Sequence, residues 1–222
     1  MSTSFNNNIK FPNLILLLTG GHTQVYLMKS ENEIELLGQS VDDAIGEAFD
    51  KTAKLIGLSY PGGSEIEQQA LKGNEDKFVL PKPLVKEKNF NFSFSGIKTS
   101  INLLTKKNKI DKKFVEDLSA SFQKNITEIL IEKLERGLKR LSSENKNIRS
   151  ISVVGGVSNN KYIRSKIENF FVEKNIEIYY PIKEMMGDNA AMIAWACMKF
   201  YKKDRNDLFF KPMPRLGVRS VL

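Results

Sequence analysis

The stretch that most constrains this chain is Leu16 to Tyr26, LLLTGGHTQVY, where an apolar run is broken by Gly20-Gly21 before a second, alternating run begins. A glycine pair between two strand-like segments lets the backbone turn where a side chain would collide, and it leaves amide N–H groups free to face an anion. An ordinary hairpin turn gives the same signal, so the pair reads either as punctuation between strands or as a phosphate cradle. A second turn of this kind, VVGGVSNN at residues 153–160, lies far downstream and strengthens the ligand reading.

The segments flanking these turns set the fold class. Phe11 to Thr19, Gln24 to Met28 and Ile34 to Gln39 read as three antiparallel strands in a meander. Ser40 with Asp43 three residues on resembles a capping box, and the helix it opens puts Val41, Ile45, Ala48, Phe49, Thr52, Ala53 and Ile56 on one side before Gly57 stops it. Asp43, Glu47, Asp50 and Lys54 fall on the other side, which is either a solvated face or the lining of a cleft. In a cleft, Asp50 could accept a hydrogen bond from a ribose hydroxyl or an amine. Tyr60-Pro61-Gly62-Gly63 is a tight turn with a further opportunity for backbone approach to a ligand.

A short helix is predicted from Ser64 to Asp76, followed by a Pro- and Lys-rich connector to Asn91. Phe90, Phe92 and Phe94 then alternate with polar residues, as in a strand burying one face or an aromatic platform for single-stranded nucleic acid. Asp111 is placed to cap a long helix from Lys112 to Leu141, whose apolar residues keep steps of three or four. Ile148 to Val154 and Ile176 to Tyr180 read as parallel-sheet strands around a helix from Asn159 to Lys174. Gly187-Asp188-Asn189 opens a last helix, apolar nearly all round, where Asp188 is either a dipole-complementing cap or a ligand for a metal or phosphate site. The tail, with Pro212, Pro214, Arg215 and Arg219, reads as extended. Alternating strands and helices predict an α/β fold, a parallel or mixed sheet covered by helices.

Composition narrows the partners. The 222 residues are 41% apolar, enough for a real core, and 34 basic against 26 acidic residues leave a net charge of +8. The basic residues are densest from Lys82 to Lys113, which favours phosphate-rich partners, although a Lys- and Asn-rich composition also follows from genomic base bias. The single cysteine, Cys197, excludes an intramolecular disulfide and a cysteine metal cluster, in keeping with a reducing cytoplasm. No apolar run approaches the ~20 residues of a membrane span, and no export signal precedes the first strand.

Taken in order, the motifs TGGHTQ, SVDDAIGEAFDKTAKLIGLSYPGG, FSFSGIKTS and VVGGVSNNKYIR followed by MMGDNAAMIAWA closely resemble the tRNA N6-adenosine threonylcarbamoyltransferase (TsaD) family, formerly labelled glycoprotease. The likeness runs from Phe11 to Arg215. It implies an actin-like ATPase fold built from two ribonuclease-H-like lobes, of which this chain resembles the C-terminal lobe with an insertion at about residues 60–110 and without the N-terminal lobe. The implied reaction transfers a threonylcarbamoyl group from threonylcarbamoyl-AMP to N6 of adenosine 37 in tRNAs reading codons that begin with A.

Carried over by this resemblance, the ligand-binding turn falls on Leu17, Leu18, Thr19, Gly20 and Gly21, and the ribose-contacting acid on Asp50. The next glycine contact falls on Gly63, the asparagine beside base or ribose on Asn160, and the metal-binding aspartate on Asp188. The implied cofactors are one divalent metal, iron or zinc, and threonylcarbamoyl-AMP or ATP as nucleotide. The implied partners are tRNA, with TsaB-like and TsaE-like subunits, and the basic stretch from Lys86 to Lys113 is the expected approach for the tRNA. One departure matters: the family's two metal-binding histidines would precede Met1, and the only histidine, His22, matches another position. Losing two of three protein ligands removes most of the metal's binding free energy, so the chain is expected not to turn over alone. No residue is identified as general base. Two rival readings are a non-catalytic scaffold lobe pairing with a related subunit and an actin-like sugar or acetate kinase fragment. The peptidase reading lacks a nucleophile and base pair.

Overall fold

The computed structural model describes Thr3, residues 7–187 and residues 189–200. Five strands form one mixed sheet in the order β3-β2-β1-β4-β5. The predicted meander is present as β1 (Asn13–Leu18), β2 (Thr23–Ser30) and β3 (Glu33–Gln39), paired antiparallel. β4 (Ser150–Val154) and β5 (Glu177–Tyr179) continue the sheet on the other side of β1 and run parallel to it. The alternation in β1 puts Leu14, Leu16 and Leu18 fully inside, while Ile15 and Leu17 are half-buried on the opposite face.

The described α-helices are α1 (Ile45–Leu55), α2 (Gly62–Ala70), α3 (Ser95–Lys107), α4 (Lys112–Ser143), α5 (Lys161–Val172) and α6 (Ala190–Phe200). α4 is the spine: Asp111 accepts a hydrogen bond from the Phe114 N–H at 2.9 Å to cap it, and Leu118, Phe122, Ile126, Leu130 and Leu134 are fully buried along one stripe. Those side chains share a single core with Leu14, Leu16 and Leu18 of β1, Ile151 and Val153 of β4, and Phe49 of α1. Each such burial contributes roughly 1.5–3 kcal/mol relative to exposure. Among the described residues no helix is long and apolar enough to cross a membrane.

Three local expectations are corrected. α1 begins at Ile45 rather than beside Ser40, because Ser40 N–H bonds Thr23 O and Val41 N–H bonds Phe92 O, which holds residues 40–41 extended. The cap comes from the neighbouring strand, where the buried Thr23 hydroxyl accepts the Ile45 N–H at 2.7 Å; Ser40 Oγ instead donates to Asp43 O at 2.6 Å. Val41 accordingly leaves the apolar stripe and is 62% exposed.

The Phe90, Phe92 and Phe94 rings are buried, as in the strand reading, yet the backbone makes only one bridge, between Ser40 and Phe92. The aromatic platform is therefore excluded. Phe90 fits because two glycines make room for it: a Cβ on Gly137 of α4 would lie 1.9 Å from its ring, and one on Gly38 of β3 2.4 Å from its backbone.

Directly after these rings comes α3, a helix the sequence pattern does not announce. Its start is held from far upstream by Asp42, whose carboxylate accepts from Phe94 N–H at 2.8 Å, Ser93 Oγ at 2.5 Å and Ser95 Oγ at 2.7 Å. Burial pushes the Asp42 pKa up, but these donors together outweigh it and hold the carboxyl below its usual value.

Candidate functional site

β1 and β4 are parallel neighbours in register, Leu17 opposite Val154, so the two glycine turns leave the sheet side by side. From β1 the chain turns toward β2, and from β4 it leads toward β5 on the other side. The crevice beyond such strand ends, where connections diverge, is the usual ligand site of an α/β sheet.

Close backbone contacts build the corner. Gly155 has φ +97°, and a Cβ there would lie 2.3 Å from Leu18 O. Gly46 in α1 lies directly against the first turn: a Cβ would come within 2.6 Å of Gly20 Cα, and its N–H donates to Thr19 O at 3.2 Å. The turn itself is closed by Thr19, whose hydroxyl accepts from Gly21 N–H at 3.2 Å and His22 N–H at 2.8 Å. Those two amides are therefore turned back on the hairpin and do not face an anion, a correction to the simplest cradle reading. The Gly20 amide has no acceptor among the described residues.

A cavity of about 320 Å³ opens at this corner, lined by Gly20 and Gly46, by Phe49 and Asp50 of α1, by Pro61, Gly63, Ser64 and Glu67 around α2, and by Gly156, Val157, Asn159 and Asn160 after β4. Four of the residues carried over by resemblance, Gly20, Asp50, Gly63 and Asn160, thus share one wall with the second glycine turn. Leu17, Leu18 and Thr19 do not line it, and Gly21 and His22 line a separate cavity of about 60 Å³. Asp188 and the tail residues Pro212, Pro214, Arg215 and Arg219 lie outside the described residues. Among the described residues no group of three His, Cys, Asp or Glu side chains is arranged to hold a metal.

Gly20, Gly63 and Gly156 have no positive φ, and a Cβ on any of them would meet nothing within 4 Å. Neither backbone conformation nor internal packing calls for glycine there. Each bare backbone faces open space at the cavity, which is the arrangement a closely approaching ligand needs. Gly62 beside them is different: its Cβ would fall 2.5 Å from Ala53 Cβ, and its N–H donates to Asp50 Oδ1 at 2.8 Å. That bond orients the Asp50 carboxylate and leaves its second oxygen for a ligand. Asp43 and Glu47 are occupied differently, both pairing with Lys51 at 2.6 and 2.8 Å as a surface network.

Glu67 is the cleft residue that sequence reasoning missed. Its carboxylate accepts from Lys161 N–H at 2.7 Å at the start of α5, so it closes that helix end against anions while exposing carboxylate to the cavity. The one available signal was its place one helical turn after Gly63. Asn160 caps α5 through Oδ1, accepting from Ile163 N–H at 3.0 Å.

On the basic stretch, Lys82 pairs with Glu128 and Glu132, and Lys113 with Asp117. Lys86, Lys88, Lys98, Lys106, Lys107 and Lys109 are exposed and form no ion pair among the described residues.

The fold and the cleft define an α/β protein with a glycine-walled cavity, the candidate site, at the ends of two parallel strands. The family model for tRNA N6-adenosine threonylcarbamoyltransferase (TsaD) matches residues 1–195, and the chain belongs to that family. The protein of that description from Thermosipho africanus is 43% identical over 212 residues, 95% of this chain and 63% of its own length. The one from Wolbachia pipientis wMel is 39% identical over 215 residues, again 63% of its length, and the one from Brucella suis 42% over 199 residues, 55% of its length. The chain thus spans less than two thirds of these relatives. Among solved structures, the activator of the 2-hydroxyisocaproyl-CoA dehydratase from Clostridium difficile with bound ADPNP is similar at TM-score 0.44 and 18% identity, covering 82% of this chain and 58% of that one.

Proposed function

We propose that this chain supplies the adenylate-binding wall of a threonylcarbamoyl transfer site acting on adenosine N6 of tRNA. The observation that carries the reading is the convergence of three open glycines, Gly20, Gly63 and Gly156, with Asp50 and Asn160 on one cavity. On this reading the glycine backbones approach the phosphate and ribose, and the free oxygen of Asp50 accepts a ribose hydroxyl. The lobe is of the actin-like type, with residues 60–110 as its insertion, and the opposite wall belongs to polypeptide corresponding to the longer span of the relatives.

In the transfer, the adenosine N6 amine forms a bond to the carbamoyl carbon, the bond from that carbon to the AMP phosphate oxygen breaks, and AMP leaves with the electron pair while a proton passes to solvent. What these residues contribute is positioning and stabilisation of the leaving phosphate. A divalent metal, iron or zinc, would polarise the reacting group when bound, with Asp188 its one ligand from this chain. The unpaired lysines from Lys86 to Lys109 face the tRNA backbone, and TsaB-like and TsaE-like subunits complete the assembly in the cytoplasm.

Calorimetry with AMP tests the site. Wild type binds, and Asp50→Ala loses about tenfold or more in affinity, the worth of a hydrogen bond to a charged group. Asp50→Asn, which keeps an acceptor for Gly62, separates loss of the ligand contact from loss of the turn. Equal affinity in all three removes Asp50 from the site.

One observation favours a second reading, a non-catalytic lobe that pairs with a related subunit: α6 leaves Ile193 64% and Met198 74% exposed. A chain that fails to bind AMP yet forms a stable complex with such a subunit on size exclusion would establish it.

A further inference from the structure

One polar relay beside the cleft has its direction fixed from end to end. The Ile163 N–H can only donate, so the Asn160 atom that accepts it at 3.0 Å is Oδ1. The Asn160 amide nitrogen is thereby turned the other way and donates to Gln123 Oε1 at 2.8 Å. Gln123 must then direct its own Nε2 outward. It lines a cavity of about 620 Å³ that adjoins the cleft across Ser64 and Glu67.

Both amides are deeply buried, Asn160 7% and Gln123 4% exposed. Asn160 directs its oxygen to α5 and one N–H to Gln123, which leaves its other N–H uncommitted on a residue that lines the cleft. Gln123 spends its oxygen on Asn160, and its Nε2 has no partner among the described residues. Each amide oxygen is thus directed into the relay, and the groups left uncommitted on both side chains are N–H donors.

We propose that Gln123 is a positioning residue that locks Asn160 as a hydrogen-bond donor, so that the ligand must present a lone pair at this point. The proposal rests on the adenylate reading and sharpens it: the adenine ring nitrogens N1, N3 and N7 are accepted, whereas the exocyclic amine, a donor, is turned away. Without the Gln123 oxygen, Asn160 is held only by Ile163, and its amide plane rotates about that single bond. Gln123→Glu keeps an acceptor in place; Gln123→Leu keeps bulk and removes it.

The test uses the full chain, with AMP and its 1-deaza, 3-deaza and 7-deaza analogues titrated by calorimetry. Wild type and Gln123→Glu prefer AMP over at least one analogue by about threefold to tenfold, the worth of one net hydrogen bond. Gln123→Leu brings the preference at that analogue to within about twofold. In parallel, the Asn160 side-chain amide is followed by nitrogen-15 NMR in the free protein: its two protons are distinct and slowly exchanging in wild type and Gln123→Glu, and exchange faster in Gln123→Leu.

An unchanged analogue preference in Gln123→Leu, or equal damage in Gln123→Glu, overturns the positioning role. Failure of wild type to bind AMP overturns the adenylate reading instead. The NMR comparison then still decides the lock, since unchanged Asn160 signals in Gln123→Leu refute it.

Discussion

Changing Gly63 to alanine should separate folding from binding. Gly63 lies in the first turn of α2, its φ is not positive, and a Cβ there meets nothing within 4 Å. Alanine loses less backbone entropy on folding than glycine, so Gly63→Ala should stabilise the chain by about 0.5–1 kcal/mol. For a chain of this length that is about 2–4 °C in melting temperature at the upper figure. The new methyl group projects into the cleft, where a closely held ligand would have to move away, and an overpacked contact of this kind costs about 1–3 kcal/mol. AMP affinity should therefore fall about fivefold to 150-fold.

The neighbouring substitution is the control. Gly62→Ala puts its methyl 2.5 Å from Ala53 Cβ and 2.9 Å from Asp50 Cα, so it should destabilise by about 1–3 kcal/mol. Urea unfolding midpoints and AMP calorimetry on the same preparations read both effects. If Gly63→Ala binds AMP as tightly as wild type, open glycines are not a mark of ligand approach here, and the same reasoning fails for Gly20 and Gly156.

Thr23→Val removes the hydroxyl that caps α1 and should cost about 1–2 kcal/mol by urea unfolding with no change in slope. Lys133 is fully buried in α4, and its ammonium donates to Asn89 O at 3.1 Å and Asn89 Oδ1 at 3.2 Å, so Lys133→Met should cost about 1–3 kcal/mol by leaving those acceptors unmet. Burial lowers the Lys133 pKa from 10.5, so the unfolded chain binds more protons as pH rises through the folded value toward 10.5, and stability should climb across that window in wild type but not in Lys133→Met. Asp42 has the opposite position on the scale: with its pKa held below 3.8, its contribution is complete above 3.8 and is lost as pH falls through the lower folded value, a loss absent from Asp42→Asn. Replacing Lys106 and Lys107 together by glutamine should weaken tRNA binding and flatten its salt dependence by up to about 0.9 for each phosphate left without its lysine, as read by filter binding across a salt series.

What could be read from the chain was whatever its own neighbours decide. The meander of β1 to β3 and the length and cap of α4 are written in local periodicity, and both glycine turns follow strand-like runs, so their meeting could be anticipated once the strands were taken as parallel neighbours. What could not be read depends on distant partners. α1 starts late because Thr23 on another strand supplies its cap, and α3 starts at Ser95 because Asp42 reaches across to Ser93, Phe94 and Ser95. The three phenylalanines resemble a strand in spacing, but Gly38 and Gly137 receive Phe90 from two different elements. Glu67 and Gln123 meet Lys161 and Asn160 only in the fold, and apart from the place of Glu67 one helical turn after Gly63 no spacing rule marks them.

The contacts of Gly155 with Leu18 and of Gly46 with Gly20 leave no slack at the corner where strands and helix meet. Added bulk at either glycine has nowhere to go, so the wall the cavity presents is set by backbone against backbone and not by movable side chains.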